Sequence, residues 1–91
     1  MEYVLYDLGE QKKGSIAEVQ LSSATNVRLI DKVNLDLFKY GQKHTYYGGF
    51  VQKSPYRISI PESRRWFVMI DLSGQLKHSV IVHPAKLPDA R

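Results

Sequence analysis

The sequence predicts an all-β fold: an antiparallel β-sandwich of about six to eight strands, with at most one short helix near residues 34–40. Apolar and polar residues alternate with a period of two through most of the chain, as they do in half-buried strands. The β-rich runs are short, and Gly, Pro, Ser and Asp residues that favour turns separate them. Hydrophobic residues make up 43% of the 91 residues, which argues against a disordered chain.

Six runs of the chain are predicted to be strands: residues 3–8, 15–22, 26–31, 56–61, 65–72 and 77–84. In the run 26–31, alternation places Val27 and Leu29 on one face and Arg28 on the other. The run 65–72 is apolar on both faces, which is typical of a central strand that is covered on both sides.

The segment 34–41, NLDLFKYG, interrupts this pattern with signals for a helix. It begins with Asn34, a good N-cap residue, has Asp36 in its first turn and ends at Gly41. Its length corresponds to about two helical turns. We therefore predict a short helix or helical turn that crosses between the two sheets.

The length predicts a single domain over residues 1–91, with an irregular C-terminal tail at 84–91 that contains two prolines. No run approaches the roughly 18 apolar residues that a membrane span needs. The start, MEYVLYDLGEQ, lacks the basic and then apolar order of a signal peptide. We therefore expect a cytoplasmic protein without a membrane partner.

The sequence contains no pattern that indicates catalysis or metal binding. The absence of cysteine excludes disulfides, thiolate catalysis and cysteine-based metal sites. No serine lies in a Gly-x-Ser-x-Gly motif, and Asp71, beside Leu-Ser-Gly, fits a turn role better than a catalytic one. The imidazoles are His44, His78 and His83. Because residues five apart on a strand point to opposite faces, His78 and His83 cannot both line one metal site unless a bulge intervenes. We predict a protein that is not an enzyme and has no metal or cofactor.

The excess of positive charge lies in the middle third of the chain, together with a run of aromatic residues. The net charge is +4, yet the segment 39–65 holds six cations and a single anion, Glu62. Aromatic residues are interleaved with these cations in HTYYGGFVQKSPYR, residues 44–57. The candidate binding residues are Lys43, His44, Tyr46, Tyr47, Lys53, Arg57, Arg64, Arg65 and Trp66.

Within this segment, Gly48 and Gly49 are predicted to form a turn or bulge that interrupts an aromatic strand, where backbone without side chains is needed. Because neighbouring strand residues face opposite ways, we expect at most one of Tyr46 and Tyr47 in the core and the other exposed. Trp66 fits a core anchor flanked by two solvated arginines, or else an exposed cation–aromatic patch that binds an acidic partner.

Three functions fit these residues. The preferred prediction is a binding module for a protein partner or for a second copy of the chain, since an exposed strand edge can pair with another strand. The alternative is binding of nucleic acid or another anionic polymer, with rings that stack on bases beside cations that contact phosphates. A second alternative is a carbohydrate-binding accessory domain in which Trp66 or Tyr47 stacks on a sugar ring. Core packing also explains many of these rings.

A family resemblance rests on five segments in order: NVRLID, Asn34 with Tyr40-Gly41, YYGG at 46–49, IPES at 60–63 and WFVMIDL at 66–72. Together they resemble a small bacterial all-β family described only as a domain of unknown function, over residues 3 to about 83. Members of that family occur alone or fused ahead of TIR domains. The resemblance implies a recognition or regulatory module in bacterial signalling or defence, and it brings no catalytic residues. The layout also resembles small jelly-roll sandwiches such as the bacterial pre-peptidase C-terminal domains, a likeness of fold alone.

Overall fold

A computed structural model describes residues 2–72 and 76–85 and shows two antiparallel sheets. The strands in these ranges are β1 (Tyr3–Gln11), β2 (Ile16–Leu21), β3 (Thr25–Asp31), β4 (Tyr47–Val51), β5 (Tyr56–Ser59), β6 (Arg64–Asp71) and β7 (His78–His83). One sheet has the order β1-β6-β3-β4, and the other has the order β5-β2-β7. The predicted all-β sandwich is confirmed. Most of the tail predicted at 84–91 lies outside the described residues.

The main core lies between the two sheets. Alternation along β3 and β6 turns every second side chain toward the facing sheet. The buried residues of this core are Ala17, Val19, Val27, Leu29, Val51, Ile60, Trp66, Val68 and Ile70. The inward direction of Val27 and Leu29 agrees with the alternation predicted for residues 26–31.

A second apolar cluster lies on the outer face of the four-stranded sheet, under a helix. The helix α1 (Lys32–Lys39) places Leu35 against Ile30 of β3 and against Phe67 and Met69 of β6. β6 is therefore buried on both faces, as predicted for a central strand. None of the described residues forms a helix long and apolar enough to cross a membrane.

The helix differs from its prediction in position and in start. It connects β3 to β4, which are neighbours in one sheet, so it does not cross between the sheets. Its N-cap is Asp31, whose Oδ1 accepts the backbone N–H of Asn34 at 2.8 Å. Asn34 also joins the helix to the next segment, because its Oδ1 accepts the backbone N–H of Thr45 at 2.9 Å. The sequence pattern assigned Asp31 to the strand alone, whereas the residue ends β3 and also caps α1.

The prediction of a turn or bulge at Gly48 and Gly49 is wrong. Both residues lie inside β4, where they pair with Arg28 and Val27 of β3 without a shift in register. Gly48 has a φ of +112°, and a Cβ built there would lie 2.3 Å from the backbone oxygen of Val27. The glycine is needed because β3 and β4 approach too closely at this point for a side chain.

Candidate functional site

The nine predicted binding residues fall into three places: Lys43, His44, Tyr46 and Tyr47 lead into β4; Lys53 and Arg57 line a groove beyond β4; Arg64, Arg65 and Trp66 begin β6. The first two groups adjoin each other through β4. The third group lies on β6, in the interior of the same sheet.

Trp66 is a core residue, so its alternative role in an exposed patch is wrong. Its side chain is 2% exposed, and its indole Nε1 donates to the backbone oxygen of Glu62 at 2.8 Å. The indole is packed in the main core, where its N–H needs such a partner. Trp66 is therefore not available to stack on a sugar or to bind a partner.

Arg64 and Arg65 do not form one basic patch, because neighbouring residues of β6 point to opposite faces. Arg64 binds the buried Asp31, with 2.8 Å between Nη1 and Oδ2, and Arg65 binds Asp7. The hydrogen bond from Arg65 holds the pKa of Asp7 below its usual value. Burial raises the pKa of Asp31, but hydrogen bonds from Asn34 and Arg64 outweigh this effect and lower it. Both arginines are thus partly neutralised by their own carboxylates.

The β4 edge, by contrast, carries exposed aromatic residues. Of the ten aromatic side chains among the described residues, those classed as exposed are Tyr40, Tyr46, Tyr47 and Phe50, with 79%, 44%, 51% and 62% of their surface accessible. β4 pairs with β3 along one side and with no described strand along the other. Tyr46 and Tyr47 are both exposed, so neither ring is the core residue that the expectation of at most one allowed.

The exposed rings lie on both faces of the sheet at this edge. Tyr47 pairs with Leu29 and therefore faces the inner side, where its ring centroid lies 6.0 Å from that of Trp66. Phe50 pairs with Asn26 and faces the outer side. Tyr46 also lies on the outer side, where its ring centroid is 5.4 Å from the guanidinium carbon of Arg28.

The Tyr46 ring packs against a mostly buried ion pair on the outer face of the sheet. Arg28 forms a 2.8 Å ion pair with Asp71, and the two side chains are only 18% and 16% exposed. Burial lowers the pKa of the Arg28 guanidinium, but its interactions with Asp71 and Tyr46 together outweigh this effect and raise the pKa. The His44 ring lies 6.1 Å from the Tyr46 ring and contacts Phe38 of α1 edge-on at 5.2 Å. The helix thereby helps to hold the segment that leads into β4.

Asp71 therefore has a partner that the sequence did not suggest. Its predicted turn role concerns the connection after β6, and residues 73–75 of that connection lie outside the described residues. What the structure shows is a carboxylate at the end of β6 that binds Arg28 on the outer face of the sheet.

An open groove of about 400 Å³ begins where β4 ends. It is lined by Phe50 and Val51 of β4, Lys53 and Pro55 of the connection, and Tyr56 and Arg57 of β5. Arg57 Nε donates to Glu18 Oε1 at 2.7 Å, and this hydrogen bond lowers the pKa of Glu18. β4 is the last strand of one sheet and β5 is the last strand of the other. The groove therefore lies between two strand edges that pair with no other described strand.

Arg28 and Phe50 belong to this site but were not among the predicted binding residues. The alternation in residues 26–31 predicts that Arg28 points away from the core, and this pattern could have marked it as a candidate. The exposure of Phe50 follows from the position of β4 at the edge of its sheet, which depends on long-range pairing with β3.

In residues 2–72 and 76–85, no group of three or more His, Cys, Asp or Glu side chains is placed to hold a metal ion. Over residues 1–86 the chain matches a family described as Domain of unknown function (DUF1883). No curated protein and no solved structure matches the chain.

Proposed function

Because the chain belongs to the DUF1883 domain family of unknown function, its activity has to be inferred from its own surface, and we propose that it is a non-enzymatic protein-binding module. In this proposal, an extended segment of a partner protein pairs with the free edge of β4. A role in bacterial signalling or defence, the setting implied by the family resemblance, is part of the same proposal.

The observation that carries the proposal is the gathering of exposed rings at an unpaired strand edge. An edge strand presents backbone N–H and C=O groups that can pair with another strand. Edge strands are commonly protected by charged residues or proline, and Tyr47–Val51, with the sequence YGGFV, contains neither. Strand addition to such an edge is a recurring mode of peptide recognition.

The side chains of β4 suit an added strand. Tyr47 projects from the inner face and Phe50 from the outer face, so a strand paired alongside would have a ring next to it on each side. Gly48 and Gly49 between them have no side chains that would hinder the approach of another backbone. Aromatic residues of this kind supply much of the binding energy at protein interfaces.

Two observations favour protein over nucleic acid. A stacking surface for bases needs its rings on a common face, whereas the three exposed rings at this edge are divided, with Tyr47 on the inner face and Tyr46 and Phe50 on the outer face. In addition, the three arginines of the segment 39–65 pair with Glu18, Asp31 and Asp7, which leaves a weaker positive field than the sequence suggests. The carbohydrate alternative is weakened by the burial of Trp66.

The proposal is tested by selecting a displayed library of random 12-residue peptides against the full chain. Binding of the enriched peptides is then measured by fluorescence anisotropy with the wild type and with Phe50→Ser. The matched control is Ile81→Ser, because Ile81 is 52% exposed but lies on β7 of the other sheet. We expect Phe50→Ser to weaken binding about tenfold or more, the range of an aromatic interface residue, and Ile81→Ser to leave it unchanged.

Hydrogen exchange with the same peptides identifies the site directly. Strand addition should slow exchange of the amides of Tyr47–Val51, while those of β7 at the opposite edge keep their rates. The proposal is wrong if no peptide is enriched over blank beads, or if the enriched peptides bind Phe50→Ser as well as the wild type.

A further inference from the structure

We infer that the partner segment is acidic and that one of its carboxylates binds in the groove beside Lys53 and Arg57. This inference rests on the proposed function and names the chemistry of the partner that the β4 edge takes. It depends on three features: the charges on either side of β4, the continuity of β4 with the groove, and the way in which Arg57 is held.

The charged residues that flank β4 along the chain are of one sign. Residues 37–61 contain no Asp or Glu, and Asp36, at the border of this stretch, binds Lys32 of its own helix at 2.6 Å. Lys43 precedes β4 and Lys53 follows it, and neither forms an ion pair with another described residue. A segment that lies along β4 therefore approaches positive charge at both ends, which attracts an acidic partner and disfavours a basic one.

The groove continues the β4 edge. Phe50 and Val51 are the last residues of β4 and also line the groove, so a segment paired with β4 leads into it without a break. Pro55 and Tyr56 supply further apolar surface there. A segment that enters the groove therefore contacts apolar surface and meets the two cations at the same place.

Arg57 is already oriented for such a contact. Its Nε is engaged by Glu18, while the two terminal nitrogens of its guanidinium have no hydrogen-bond partner among the described residues. The Arg57 side chain is 64% exposed, although that of Glu18 is only 11% exposed. An arginine held at one nitrogen loses less conformational entropy when the other nitrogens bind a carboxylate. Since Glu18 balances the charge of Arg57, Lys53 provides the net positive charge of the groove.

The same charges disfavour a second copy of the chain as the occupant of the edge. Antiparallel pairing of two β4 strands would bring the Lys53 end of one copy to the Lys43 end of the other. Each chain also carries a net charge of +4, so the two copies repel one another. A distinct acidic segment avoids both costs.

The inference is tested with the peptides enriched in the library selection. We expect an excess of Asp and Glu among them, and replacement of these residues by Asn and Gln should weaken binding about tenfold. Lys53→Glu should cause a similar loss. The matched control is Lys12→Glu, which makes the same change in net charge at an exposed position between β1 and β2. The control should change affinity by less than about twofold.

A charge reversal strengthens the test: peptides with Lys in place of Glu should bind Lys53→Glu better than they bind the wild type. The inference fails, while the proposed function stands, if enriched peptides lose binding with Phe50→Ser but show no acidic excess and bind Lys53→Glu normally. If no peptide is enriched, both fail. If a single-stranded DNA or RNA oligonucleotide binds and loses affinity with Lys53→Glu while acidic peptides do not bind, the ligand is nucleic acid and the inference is overturned.

Discussion

The guanidinium of Arg28 lies 5.4 Å from the ring centroid of Tyr46, on the outer face of the four-stranded sheet and opposite the backbone of Gly48. The contact joins a mostly buried cation on β3 to an exposed ring at the entrance to β4. Because Gly48 has no side chain, Tyr46 and Arg28 can share the outer face at this position. The edge proposed to bind a partner is therefore supported by the sheet beneath it.

The Arg28–Asp71 ion pair should stabilise the fold measurably. Arg28→Met leaves the mostly buried carboxylate of Asp71 without its partner and should lower the free energy of unfolding by about 1–3 kcal/mol. The control Lys32→Met removes one member of an exposed pair with Asp36 and should cost less than about 0.5 kcal/mol. Urea unfolding of both variants measures the difference, and equal losses would contradict the buried ion pair.

Gly48→Ala should destabilise the protein strongly. An alanine would have to adopt a φ near +112° and would place its Cβ 2.3 Å from the Val27 backbone oxygen. We expect a loss of about 3 kcal/mol, from strain and from displacement of β4. Gly41→Ala is the control, because it has a φ of +69° but no atom within 4 Å, and it should cost only about 1 kcal/mol. Thermal unfolding of the two variants tests this order.

Stability should decline in acid partly through Asp31. Burial raises the pKa of Asp31, but hydrogen bonds from Asn34 and Arg64 lower it by more than burial raises it. The folded pKa therefore lies below the unfolded value of about 3.9. A carboxyl with a depressed folded pKa stabilises the protein fully above the unfolded pKa and loses this contribution as the pH falls toward the folded pKa. We therefore expect part of the stability present at neutral pH to be lost below about pH 4.

The variant Asp31→Asn separates this contribution from those of other carboxyls. It keeps an oxygen that can accept the Asn34 N–H but removes the titrating group, so its unfolding free energy should be lower at neutral pH and should fall less steeply below about pH 4. Urea unfolding across this pH range makes the comparison, and parallel curves for Asp31→Asn and wild type would refute the role of Asp31.

The burial of Trp66 can be tested by fluorescence, since it is the only tryptophan of the chain. At 2% exposure its indole should be shielded from acrylamide, so quenching in the folded protein should be several times weaker than in the urea-unfolded chain. Strong quenching of the folded protein would show that Trp66 is exposed and would contradict its place in the core.

Much of the fold could be predicted because it depends on local alternation. The inward direction of Val27 and Leu29 and the central position of β6 follow from which residues are apolar on which face. The start of α1 was missed because Asp31 serves two elements at once, which a pattern read one element at a time does not reveal.

The candidate site was less predictable, because exposure depends on strand order. Tyr46, Tyr47 and Phe50 have the composition of a buried strand, and they are exposed because β4 occupies an edge. Trp66 is buried for the converse reason, since β6 lies between β1 and β3. The carboxylates that pair with Arg57, Arg64 and Arg65 lie 39, 33 and 58 residues away, so charge counted along the sequence exaggerates the basic field of the surface.

Asp31 links two layers of the molecule through one side chain: Oδ1 caps α1, and Oδ2 binds Arg64 at the start of β6. Fraying of the first turn of the helix therefore also weakens the end of the central strand. The helix and the four-stranded sheet should consequently behave as a single cooperative unit rather than as a sheet with a detachable helix. The segment from His44 to Tyr46, which is tied to Asn34 and Phe38 of that helix, shares in this cooperativity.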